Sequence, residues 1–244
     1  MEGTNFSAED MVPEITAVKP TTLPEIAEEL LTSLAKQPLS TEIVLGGGIA
    51  LKHYADFRPT QDIDAWWRMD FNPEAVGQFA IAVQDVGERH GFTLLHRRFG
   101  VTDSLELRSD ESGQTEFSFQ IVVRDVHLDE PRESPWHPLL IETLRENIGS
   151  KMNALVNRGA PRDFIDIFEI VNRKFLTVQA CWNLWRAKNP NGNISQAQAD
   201  VVTSLLRIEQ RRPLDQMPQS ERIQAMLVRD WFKSEFAVSL DIAE

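Results

Sequence analysis

The stretch EIVLGGGIALKHYADFRPTQDIDAWWR, residues 42–68, holds three consecutive glycines, a run of helix formers and an Asp-x-Asp pair. Its first part is a short β-branched run ending in glycine, which predicts a buried strand and then a tight turn. IALKHYADF (49–57) has no breaker and predicts a helix, and QDIDAWWRM (61–69) alternates and predicts a second strand. Successive strand side chains point to opposite faces, so Asp62 and Asp64 share a face while Ile63 points to the core. Two carboxylates so placed repel each other unless a cation lies between them, and Mg²⁺ accepts such oxygen ligands at ~2.0–2.1 Å. Asp-x-Asp alone is short and common, and reads as readily as two solvated aspartates at a strand end. The glycines change the balance. A strand, Gly46-Gly47-Gly48 and a helix leave backbone N–H groups at a helix start, a geometry that favours anions. GGGIALK is not the Gly-x-Gly-x-x-Gly of dinucleotide folds. A triphosphate on the turn, with metal at its edge, is the ligand these elements suit together.

Working outward, TLPEIAEELLTSLAKQ (22–37) places Leu23, Ile26, Leu30, Leu31 and Leu34 at helix spacing, with Thr22 as the expected cap. A helix at about 74–90 and three strand-like segments, FTLLHRRF, DSLELRS and TEFSFQIVV, follow the Asp pair. Beyond DEPRESPWHP the pattern is helical, with segments at about 139–158, 162–175, 177–188, 195–211 and 219–238. The expected organisation is a polar arm at 1–22, an α/β domain at 23–130 and a helical domain at 131–244. The fold class is α+β: a mixed sheet with helices, followed by an all-helical part.

The 244 residues carry a net charge of −12, which argues against broad, charge-driven nucleic-acid binding. No apolar run approaches the ~20 residues that span a bilayer, and a cytoplasmic protein without membrane partners is expected. The single cysteine, Cys181, permits no internal disulfide and reads as a buried hydrophobe. The five histidines show no metal-ligand spacing. Trp66 and Trp67 read as core packing at a strand end, with stacking on a base the lesser alternative.

A strand, Gly-Gly, a helix and Arg-x-[Ser/Thr]-x-Asp-x-Asp resemble the DNA polymerase β-like nucleotidyltransferase superfamily, and the Ala-Leu after the glycines is similar to the AbiEii/AbiGii-type toxins. The matching residues are Gly47, Gly48, Ala50, Leu51, Arg58, Thr60, Asp62 and Asp64. A second block, IGSKMNALVNRGAPRDFIDIFEI (148–170), resembles the family's Lys-x-x-Ala-Leu-x-x-Arg and Arg-Asp-x-x-Asp elements through Lys151, Arg158, Asp163 and Asp166. The residues themselves allow a plainer role for part of this block. Asp163 stands in the first turn of a helix begun by Pro161, where an anion is favoured, and Asp166 stands four residues after Arg162.

The resemblance implies a nucleotidyltransferase that moves NMP from an NTP to an acceptor hydroxyl on tRNA or protein, as the toxin of a toxin–antitoxin pair with a cognate antitoxin. It implies Mg²⁺ or Mn²⁺ on Asp62 and Asp64, and nucleotide contacts from Gly47, Gly48, Arg58, Lys151 and Arg158. Asp62, Asp64, Lys151 and Asp163 are the expected catalytic residues. Two positions depart from the pattern. Ile49 stands where the family has Ser or Thr, and Gln120 stands where a third carboxylate often lies; an amide cannot be a general base. These departures favour as the alternative a catalytically impaired nucleotide- or partner-binding protein on the same fold.

Overall fold

The structure, a computed structural model, describes residues 14–124 and 126–236. These form two compact units, one of residues 15–147 and one of residues 148–236 with Glu14. In the first unit the strands are β1 (Ile43–Gly46), β2 (Asp62–Trp67), β3 (Phe92–Phe99), β4 (Thr102–Ser109), β5 (Thr115–Val122), β6 (Arg132–Glu133) and β7 (Leu140–Ile141). Its helices are α1 (Glu25–Ala35), α2 (Gly47–Tyr54) and α3 (Pro73–Arg89). The sheet order is β3-β4-β5-β2-β1-β7-β6. It is mixed: β1 pairs antiparallel with β2 and parallel with β7, while β2 pairs parallel with β5.

The α/β core is built on one face of this sheet. Ile63, Ala65 and Trp67 of β2 alternate inward with Leu105, Leu107, Phe117, Phe119 and Ile121, and meet the stripes of α1 and α3. Trp67 is the anticipated core tryptophan, with its ring centroid 5.7 Å from Phe71 and 6.4 Å from Phe79. The other face of β2 carries Asp62, Asp64 and Trp66, all half-buried.

Two sequence expectations move at their edges. Pro24 rather than Thr22 is the N-cap of α1, because the Thr22 hydroxyl donates to Asp56 Oδ1 at 2.7 Å. Residues 132–141, read as part of the helical half, complete the sheet instead through β6 and β7. Leu140 and Ile141 pair with Val44 and Leu45, and the Glu142 N–H donates to the Leu45 carbonyl. The helix expected from 139 therefore starts at α4 (Leu144–Asn157), where Thr143 Oγ1 accepts the Glu146 N–H at 3.0 Å. A two-residue strand is too short to show any periodicity.

Of the expected N-terminal arm, residues 1–13 lie outside the described residues, and residues 15–22 belong to this unit. The Val18 N–H donates to the His53 carbonyl at 2.9 Å, and the Lys19 ammonium stands 4.5 Å from the Trp136 ring centre. His53 is wholly buried: Trp136 Nε1 donates to its Nε2 at 3.0 Å, so Nδ1 carries the proton toward the Ile49 carbonyl at 2.7 Å. Burial drives its pKa below the usual 6.5, against the opposing pull of the Ile49 bond and Asp56. The unfolded chain therefore binds this proton more readily than the folded one. The stability the neutral ring confers is complete above the unfolded pKa and is lost as pH falls below 6.5 toward the folded value. Urea denaturation between about pH 7.5 and pH 5 should show stability declining by at most about 1.4 kcal/mol per pH unit from this group. His53→Gln is expected to flatten that window.

The second unit holds the rest of α4 with α5 (Pro161–Asn172), α6 (Val178–Lys188), α7 (Ile194–Arg211) and α8 (Gln219–Trp231). Phe164, Trp182, Phe232 and Phe236 form its aromatic centre, with Phe164 and Phe232 ring centroids 4.7 Å apart. Cys181 is fully buried there and its thiol pKa is pushed up to about 12 by desolvation, as a small core hydrophobe would be. Among the described residues no helix is long and apolar enough to cross a membrane.

Candidate functional site

The glycine turn lies directly on the Asp pair. The β1–β2 register sets Gly46 abreast of Asp64, and β5 sets Gln120 on the other side of Asp64. Gly47 has φ +57°, and a Cβ there would stand 2.0 Å from Asp64 Oδ2. Any side chain at 47 would displace the carboxylate. A Cβ on Gly46 would strike Trp66 Nε1 at 1.9 Å, so the indole lies over the strand just beyond the carboxylates. A Cβ on Gly48 would stand 3.2 Å from Thr60 Oγ1 and 3.4 Å from an Arg58 guanidinium nitrogen. Thr60 donates to Asp62 Oδ1 at 2.7 Å, which fixes that carboxylate's orientation.

Gly47, Gly48, Arg58, Asp62 and Asp64, separated by up to 17 positions (64 − 47), are thus brought together, the glycines and aspartates as the strand–turn–helix–strand order predicts and Arg58 as the family resemblance implies. The first N–H groups of α2 have no partners within the helix. They lie beside one guanidinium and two carboxylates, so the place offers donors to an anion and oxygens to a cation. Ile49 is wholly buried in the core, which means that the turn presents backbone N–H groups and no hydroxyl. Two carboxylates fit Mg²⁺ or Mn²⁺, which take few protein ligands and fill the remaining positions with water and phosphate oxygens. Among the described residues no third His, Cys, Asp or Glu joins them in a metal-holding group.

Behind the turn is a network that the sequence did not reveal. Asn147 Nδ2 donates to the Gly47 carbonyl at 3.0 Å and to Glu142 Oε2 at 2.9 Å. Glu142 also receives Arg124, which reaches Glu146 Oε1 at 2.8 Å and lays its guanidinium 3.5 Å from the Trp66 ring centre. Trp66 therefore has a cation stacked on it. Arg124, Glu142, Glu146 and Trp66 line a cavity of about 260 Å³, together with Arg68 and His127. Glu142 and Asn147 stand five apart in a segment that reads as plain helix, so no spacing signal links them to the glycines.

The second sequence block is arranged within the helical unit. Lys151 Nζ pairs with Asp166 Oδ2 at 2.9 Å, with the lysine side chain 9% and the aspartate 0% exposed. Arg158 makes two parallel bonds to Asp163, Nε to Oδ2 and Nη2 to Oδ1, each 2.9 Å. Asp163 also accepts the Ala160 N–H at 3.1 Å as residue N3 of α5, the helix-end role that its position after Pro161 suggested. All four residues carried over from the family motif are thus engaged in two charge pairs that hold α4 to the start of α5.

Among solved structures, the chain is similar to the nucleotidyltransferase toxin MenT4 of Mycobacterium tuberculosis, with 14% identity over 84% of this chain and 90% of that one and a TM-score of 0.45. It is also similar to an antigenic nucleotidyltransferase-like protein of Paracoccidioides brasiliensis, with 18% identity over 82% and 94% and a TM-score of 0.37. No curated protein matches the sequence. The profile of one family, the nucleotidyl transferase AbiEii toxin of type IV toxin–antitoxin systems, matches residues 29–231, which include the glycine turn, the Asp pair and both charge pairs. With the expected mixed α+β fold in place, the chain belongs to the AbiEii family of toxin nucleotidyltransferases.

Proposed function

We propose that the protein transfers NMP from an NTP to a hydroxyl of an RNA or protein acceptor, in a reaction that depends on a divalent metal held by Asp62 and Asp64. The observation that supports this reading is the packing of the Gly47 backbone against the Asp64 carboxylate, because helix-start N–H groups suit an anion and carboxylate oxygens suit a cation. The triphosphate lies along the start of α2, with Gly47 and Gly48 offering N–H donors and Arg58 a guanidinium. Thr60 holds Asp62 in a fixed orientation. A divalent metal held by Asp62 and Asp64 would supply charge neutralisation at the phosphates. The acceptor hydroxyl oxygen forms its bond to the α-phosphorus in line as the bond to the departing pyrophosphate breaks, and its proton passes to solvent water, so catalysis is mainly positioning and charge stabilisation. Gln120 beside Asp64 takes no proton. From the second block, Lys151 and Arg158 are assigned to phosphate charge and Asp163 to the catalytic set. In this reading the protein acts as a toxin restrained by an antitoxin in the cytoplasm.

Two observations favour the second reading, a binding protein with impaired chemistry: Ile49 is core, and Gln120 occupies the position abreast of Asp64. One experiment separates the two readings. The protein is incubated with Mg²⁺, each α-³²P-labelled NTP in turn and either total RNA or total protein. Label on an acceptor together with released pyrophosphate supports transfer. Nucleotide binding without either product supports the second reading in its nucleotide-binding form, and absence of binding removes the transferase and leaves of the second reading only a partner-binding protein.

A further inference from the structure

We propose that Asn147 is a positioning residue for the nucleotide: it locks the Gly47–Gly48 peptide so that the Gly48 N–H faces away from Asn147, toward the phosphates. This rests on the proposed function above. In a planar trans peptide the C=O and N–H point in opposite directions, so a donor on the Gly47 carbonyl also fixes the Gly48 N–H. Gly47 is the first residue of α2, so the helix already turns its carbonyl toward the following turn. Between two glycines the side-chain sterics that restrain other peptides are missing, and the Asn147 bond adds the restraint from outside the helix. Gly47 already uses positive φ, at +57°.

The lock is itself held in place. Asn147 is wholly buried, and both its neighbours at Nδ2 are acceptors, the Gly47 carbonyl at 3.0 Å and Glu142 Oε2 at 2.9 Å. A flipped amide would set its oxygen against both, so only one orientation is allowed. Glu142, 1% exposed, is anchored in turn by Arg124. Arg124, Glu142, Asn147 and the Gly47 carbonyl form a single hydrogen-bonded relay from the Trp66 side of the sheet to the glycine turn. Among the described residues Asn147 Oδ1 has no hydrogen-bond partner, so its two donor bonds set the orientation of the amide.

Asn147→Asp preserves the shape and removes both donors. Titration calorimetry of the wild-type and variant proteins with Mg²⁺ and each NTP, and with Mg²⁺ and tripolyphosphate, tests the proposal, with thermal unfolding followed on the same samples. The variant is expected to bind NTP and tripolyphosphate about tenfold or more weakly, by similar factors, because the N–H it frees serves the phosphates and not the base. A purely structural residue would lower the melting temperature without this matched loss. Should the Asp variant fail to fold, Asn147→Ala, which adds no charge beside Glu142, is read in the same way. Unchanged affinity in a folded variant overturns the proposal and leaves the proposed function standing. Failure of the wild-type protein to bind either ligand overturns both.

Discussion

Asp62→Asn is expected to abolish metal-dependent NTP binding and to reduce NMP transfer by roughly a hundredfold to a thousandfold or more, while the fold survives. The substitution removes one of the two negative charges that the metal requires. It keeps an oxygen that can accept the Thr60 hydroxyl bond, now 2.7 Å long. Asp62 is half-buried at the start of β2 and lies off the apolar face, so no core contact is lost. Circular dichroism and thermal unfolding should be those of the wild-type protein. A variant that keeps full NTP affinity with Mg²⁺ present would show that the carboxylates are a solvated strand end.

Lys151→Ala is expected to destabilise the helical unit by about 3–5 kcal/mol, because it leaves the fully buried Asp166 carboxylate without the ammonium 2.9 Å away. A buried pair is worth little compared with an apolar replacement, but half of one is costly. Lys151→Ala combined with Asp166→Ala should therefore recover part of the loss, and urea denaturation of the two single variants and the double variant measures the coupling. Lys151→Arg keeps the charge and changes the reach, so it should preserve most of the stability. Its NTP affinity then separates the two roles: unchanged binding would leave Lys151 as a structural ion-pair partner, and weakened binding in a stable protein would support its assignment to the triphosphate.

The parts of the molecule that were legible in the sequence are those whose signal is local. The strand–glycine–helix–strand order around Asp62 and Asp64 follows from β-branched residues, breakers and alternation over about 25 positions, and the close approach of Gly47 to Asp64 follows from the pairing of adjacent strands. The helices of the second unit were visible because each has its own apolar stripe and breaker. What escaped notice depends on residues far apart in sequence. Asn147 touches Gly47 across 100 positions, and Trp136 bonds His53 across 83. Strands of two residues such as Leu140–Ile141 carry no period, yet they bring Glu142 to the sheet and set up the relay behind the glycines. The pairing of Lys151 with Asp166 was likewise hidden: 15 positions (166 − 151) separate the two, and the local spacing offered the aspartate only Arg162, four residues before it.

The most direct test of the central claim, that the glycine turn and the Asp pair form one metal-dependent nucleotide site, is a calorimetric titration of the protein with each NTP in the presence of Mg²⁺ and again in excess EDTA. The account predicts saturable binding of at least one NTP with Mg²⁺, its loss on chelation, and the same loss in Asp62→Asn with Mg²⁺ present. Binding of equal strength with and without the metal, or with and without the Asp62 carboxylate, would contradict it.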